Sequence, residues 1–114
     1  MSNDTTDWKV RFEDEIHHAE DARADGNEGM ARVCARRAAG IAIGEYLRRQ
    51  GMPTGEPSAY ERLKNLRLDP RLPPDLVESV EHLLLRVTPE HNLPVQADLI
   101  AEARRLSEGL LGAR

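Results

Sequence analysis

Cysteine is almost absent from this sequence. A lone Cys34 excludes an internal disulfide and points to a reducing compartment. Aromatic residues are equally scarce at 4%, namely Trp8, Phe12, Tyr46 and Tyr60, too few for the base-stacking platform of a dedicated single-strand binder. Long apolar runs are missing as well. The longest uncharged stretch in the central segment, residues 38–44, falls far short of the ~20 residues that span a bilayer. The amino terminus, MSNDTTDWKVRFEDE, lacks the basic-then-apolar order of a secretion signal. No membrane association and a cytoplasmic location are therefore expected. Nowhere do apolar and polar residues alternate with period two, which argues against a sheet.

What is present is the composition of one folded domain, 39% apolar and 32% charged over 114 residues, enough for a single modest core. The formal charge of −4 conceals an asymmetry. Residues 1–28 carry 3 basic against 9 acidic side chains, a net of −6. Residues 29–67 carry 8 against 3, a net of +5, and the remainder has a net of −3. Bulk charge does not suit nucleic acid, but a local basic strip does.

Helical periodicity accounts for nearly the whole chain. Over residues 7–24, Trp8, Phe12, Ile16 and Ala19 share one face, with Thr5, Thr6 or Asp7 available as a cap and Gly26-Asn27 as a stop. Over residues 28–50, Ala31, Cys34, Ala35, Ala38, Ile41 and Ala42 form a face of small residues, widened by Val33, Ile43, Tyr46 and Leu47. Small side chains allow close approach of helix axes, so this segment is expected at the centre of the bundle. Gly40 and Gly44 each cost about 1 kcal/mol of helix propensity, which close packing must offset. Gly51 and Pro53 end the segment. Ser58 with Glu61 reads as a capping box before Ala59, Leu63 and Leu66. A fourth helix is expected from Pro74 to Val87 with Leu76, Val80, Leu83, Leu84 and Val87 inward. A fifth follows Pro94, with Leu99, Ala103, Leu106 and Leu110 inward. The expected fold is an all-α antiparallel bundle of four to five helices, a single domain over residues 7–112 after a loosely held residues 1–6.

Three groups of residues carry possible chemistry. The first is the turn LLLRVTPEHNLP, where four residues, one of them a proline, separate Arg86 from His91. A guanidinium grips phosphate with a fork of donors, and an imidazole moves protons near neutral pH. The bland alternative is a helix-end arginine and a solvated histidine. The second is Glu13, Asp14, His17, His18, Glu20 and Asp21, whose i, i+4 spacings suit a metal if another helix supplies ligands such as His82 or His91. An acidic solvated face explains them without metal, and neither a metal nor another cofactor is expected. The third is the arginine set Arg32, Arg36 and Arg37, with Arg48 and Arg49, a candidate phosphate strip or simply a solvated helix face. His82 shares a stripe with Glu78 and Arg86 and is expected at the surface. Cys34 is expected as an inert core thiol.

The helix GMARVCARRAAGIAIGEYLRRQG, the capped SAYERLKNL segment and the Arg86–His91 spacing at the last helix junction together resemble the HEPN family of higher-eukaryotic and prokaryotic nucleotide-binding domains. The resemblance implies RNA or nucleotide as ligand and metal-independent endoribonuclease activity. In that chemistry His91 serves proton transfer and Arg86 stabilises the phosphorane. It further implies a homodimer that brings two motifs to one cleft, and a nucleotidyltransferase as partner. Val87 and Leu93 stand where active members commonly carry polar or tyrosine side chains. Two other classes therefore stay open, a non-catalytic helical dimer acting in protein interaction and a metal-binding bundle.

Overall fold

The computed structural model describes residues 4–53, 55, 57–85 and 97–112, with side chains from residue 7 onward. Five α-helices run in the order α1 (Asp4–Ala24), α2 (Glu28–Arg49), α3 (Ala59–Arg67), α4 (Val77–Leu84) and α5 (Leu99–Leu111), with a 3-10 turn at Pro74–Leu76 before α4. No strand occurs among the described residues, and none of their helices is long and apolar enough to cross a membrane.

The small-residue face of α2 makes it the centre of the bundle. It packs against α1, α3 and α5, while α4 lies against α3 and α5. Ala35, Ala38, Ala39 and Ala42 are fully buried along it, and short side chains there let the neighbouring backbones close in. Gly40 and Gly44 are the seats of α3. A Cβ at Gly40 would stand 2.9 Å from the Cβ of Ala59, and one at Gly44 would overlap the Arg62 guanidinium. Arg62 is itself fixed across the gap by donating from Nη1 to the Gly40 carbonyl at 2.8 Å. The propensity cost of both glycines is thus offset by a helix contact that no larger residue allows.

Local signals set most helix ends. Asn27 caps α2 by accepting from the Met30 N–H at 3.0 Å, and Ser58 caps α3 by accepting from the Glu61 N–H at 3.1 Å. Past α2, Gly51 takes φ +71°, and the Met52 N–H returns to the Leu47 carbonyl, a Schellman closure that needs the left-handed residue. Asp98 caps α5, accepting from the Ile100 and Ala101 N–H groups and pairing with Arg23 from the end of α1. Two boundaries differ from the sequence expectation. The backbone of α1 is helical from Asp4, placing Thr5, Thr6 and Asp7 inside the first turn rather than before it. At the other boundary α4 stops at Leu84 instead of reaching Val87, and Leu85 is extended. There Arg36 of α2 donates to the carbonyls of Leu83 and Leu85, so an arginine from another helix caps the carbonyl end of α4.

The expected core faces are largely in place, with Trp8, Phe12, Ile16 and Ala19 of α1 and Leu63 and Leu66 of α3 buried. So are Val80 and Leu83 of α4, and Leu99, Ala103 and Leu106 of α5. Val33 departs from this, lying on the outside of α2 at 37% exposure with Met30 at 45%. These two residues sit one turn apart on the part of α2 that precedes the α3 seat.

Candidate functional site at the end of helix α4

Arg86 and His91 lie outside the described residues, as does the whole connection from residue 86 to residue 96. What the structure describes is the approach to that motif, and it is more elaborate than a solvated helix end. The last full turn of α4 carries His82, whose side chain is 21% exposed. Its Nδ1 lies 2.7 Å from Oε2 of Glu102 on α5. The other carboxylate oxygen of Glu102 accepts from the Ser79 hydroxyl, also at 2.7 Å. Ser79 is completely buried and Glu102 is 9% exposed. On the outer side of the ring, Nε2 stands 3.8 Å from the carboxylate of Glu78, a side chain 74% exposed.

The electrostatics of this cluster follow from its contacts. Burial works to raise the pKa of Glu102, but the hydrogen bonds from His82 and Ser79, with Arg105 nearby, leave the carboxyl below its ordinary range. An ionised carboxylate only accepts, so the Nδ1 position of His82 carries the hydrogen in that contact and the tautomer is fixed. Proton exchange is then left to Nε2, on the open side. A buried carboxylate orienting one nitrogen of an imidazole while the other faces outward is an arrangement suited to acid–base work.

The sequence expectation for His82 as a plain surface residue is therefore corrected. The ring is half-buried because α5 presents Glu102 toward it. Ser79 and Glu102 escape a simple apolar-periodicity reading, although a signal was present. Ser79 sits between Leu76 and Leu83 on the buried stripe of α4, and Glu102 between Leu99 and Leu106 on that of α5. A polar residue in an apolar stripe requires a partner.

The arginines expected to hold phosphate do not form one strip. Arg36 is turned onto the carbonyls at the end of α4. Arg37 is exposed, whereas Arg32 is half-buried, its Nε having no hydrogen-bond partner among the described residues. Farther along α2, Arg48 and Arg49 both pair with the buried Glu45, and Arg67 of α3 pairs with Glu81. The acidic face of α1 is likewise engaged, since Arg104 of α5 bridges Glu13 and Glu20. His17 and His18 are exposed, and among the described residues no three His, Cys, Asp or Glu side chains are grouped to hold a metal ion. Cys34 is buried, and burial, with Glu15 alongside, pushes its thiol pKa up, away from nucleophilic use.

A hollow of about 230 Å³ between α2 and α3, floored by Ile43, Leu47 and Leu66, lies on a different part of the molecule. The acid–base groups of the described structure are at the α4–α5 contact, directly ahead of the Arg86–His91 motif in the chain. Comparison with family models, with curated proteins and with solved structures finds no match for the chain.

Proposed function

We propose that the protein is a HEPN-like helical module that acts on RNA or nucleotides at the α4–α5 end of the bundle. In this reading Arg86 holds phosphate and His91 transfers protons. The observation that carries the proposal is the His82–Glu102–Ser79 cluster, an oriented imidazole with an outward nitrogen, four positions ahead of Arg86 in the sequence. The Arg36 clamp adds to it. It ties the Leu83 and Leu85 carbonyls to α2, fixing the last described residues ahead of the motif.

The test is incubation of the purified protein with single-stranded RNA in the presence of a chelator. Cleavage leaving 2′,3′-cyclic phosphate ends is expected. Substituting His91 with alanine should cut the rate by at least about 100-fold and leave stability within about 1 kcal/mol. Intact RNA with the wild-type protein overturns the nuclease form of the proposal. The exposed pair Met30 and Val33 favours a second reading, a non-catalytic interaction module. Failure of both RNA cleavage and RNA binding selects it.

The working unit in the leading proposal is a homodimer through the α4 end, where Leu84 and Leu85 remain only half-buried and a second copy would cover them. Light scattering at micromolar concentration is expected to give twice the 12.8 kDa chain mass. A mass of one chain removes the dimer.

A further inference from the structure

A histidine is prepared as a metal ligand when a carboxylate holds one ring N–H and the lone pair of the other nitrogen faces outward. His82 meets that condition. Glu102 holds its Nδ1 at 2.7 Å and is itself held by the buried Ser79 hydroxyl. We infer that Nε2 of His82 and the carboxylate of Glu78 form a two-ligand site for an exchangeable divalent cation such as zinc, on the outer face of α4. Two protein ligands fall short of the three or four that hold a resident zinc, so water fills the remaining positions and the ion exchanges with the medium. The inference goes beyond the RNA-directed reading and does not depend on it. All of its residues belong to α4 and α5.

The geometry is particular to this ring. Glu78 and His82 are related as i and i+4 on α4, which stacks their side chains on one helix face. Nε2 lies 3.8 Å from the Glu78 carboxylate. Nitrogen and oxygen ligands of one tetrahedral zinc stand about 3.4 Å apart, so the pair has only a small distance to close. Glu78 supplies that movement, since its side chain is 74% exposed, while the ring stays held by Glu102. Among the described residues no arginine or lysine is ion-paired with Glu78, and the neighbouring Glu81 is taken by Arg67. A ligand set of one imidazole and one carboxylate suits zinc or nickel, whereas magnesium and calcium call for oxygen throughout. His17 and His18 of α1 also have carboxylates at helical spacing, but both are exposed, and no hydrogen bond among the described residues orients either ring.

Calorimetric titration of the 114-residue chain with zinc, at neutral pH in a buffer that does not bind metals, tests the assignment. Wild type is expected to bind one zinc ahead of any weaker sites, and a roughly 100-fold excess of magnesium should leave that binding unchanged. Glu102 acts through the ring as a positioning residue, and Glu102→Gln should weaken zinc binding by about 10–100-fold. Loss of a ligand costs no less than loss of its support, so Glu78→Gln and His82→Asn should each weaken it at least about 10-fold. Circular dichroism checks that each variant folds. Glu78→Gln carries the test even if a substitution at the α4–α5 contact does not fold, because Glu78 is exposed. The double variant His17→Ala with His18→Ala should bind zinc as wild type does. A wild type that binds no zinc overturns the inference. So does an affinity unchanged in any folded one of the three α4–α5 variants, or one lost in the α1 double variant. No readout here uses RNA, and the RNA assay runs with chelator present, so the two readings fail separately.

Discussion

Gly40→Leu is expected to destabilise the protein by about 3 kcal/mol, the upper range for overpacking a filled interior. The first added carbon would already stand 2.9 Å from the Ala59 Cβ and 3.0 Å from its Cα. The obstacle is backbone of α3, which cannot rotate aside as a side-chain end can. Moving α3 outward would in turn pull the Arg62 guanidinium away from the Gly40 carbonyl and lift Leu63 and Leu66 from the core. Gly29 provides the control on the same helix, since a Cβ there meets only Asn27 Oδ1, at 3.8 Å. Gly29→Ala should raise stability by about 0.5 kcal/mol through helix propensity. Urea denaturation followed by circular dichroism reads both. A midpoint for Gly40→Leu matching that of wild type would mean that α3 is not seated on this glycine.

Loss of the Glu102 carboxylate is the second large effect. Glu102→Ala removes the acceptor for both the Ser79 hydroxyl and His82 Nδ1, leaving two polar groups in the α4–α5 contact without it. The expected cost is about 2–3 kcal/mol. Its pH dependence has a definite sign. The folded-state pKa of Glu102 is lowered, so its contribution is complete above the unfolded carboxylate value of about 4.3. It is lost as pH falls through the lower folded value. The gap between wild type and Glu102→Ala should therefore be wide above about pH 5 and narrow progressively in acid. A gap that widens as pH falls below about 5 contradicts the pairing.

The sequence announced the helices because their signals are local. Trp8, Phe12, Ile16 and Ala19 repeat on one face, and Asn27 and Ser58 carry caps in their own side chains. The central role of α2 was legible for the same reason, as a run of alanines and two glycines has few uses other than close packing. What escaped was what depends on partners far away in the chain. The carbonyl end of α4 is capped by Arg36 of α2, and nothing in residues 83–85 themselves announces that partner. His82 faces inward because Glu102 waits on another helix, twenty residues on. Val33 was assigned to the buried face because valine is apolar, yet the neighbours that cover Ala38 and Ala42 do not extend over it. Of the expected site, Arg86 and His91 lie outside the described residues. Arg36, expected with Arg32 and Arg37 as a phosphate-binding candidate, donates to the Leu83 and Leu85 carbonyls of α4, a contact to a distant segment that its own helix does not announce.

The scarcity of aromatic residues has a spectroscopic consequence. Trp8, the single tryptophan of the sequence, is 5% exposed. It lies edge-on to Phe12, with the Arg49 guanidinium over its ring. Its emission thus reports whether α1 is docked and is blind to α4, which lies against α3 and α5. Far-ultraviolet dichroism weighs all five helices together. If the bundle melts as one unit, the two signals trace a single curve. If the helix bearing His82 loosens first, dichroism falls while the tryptophan emission holds its folded value.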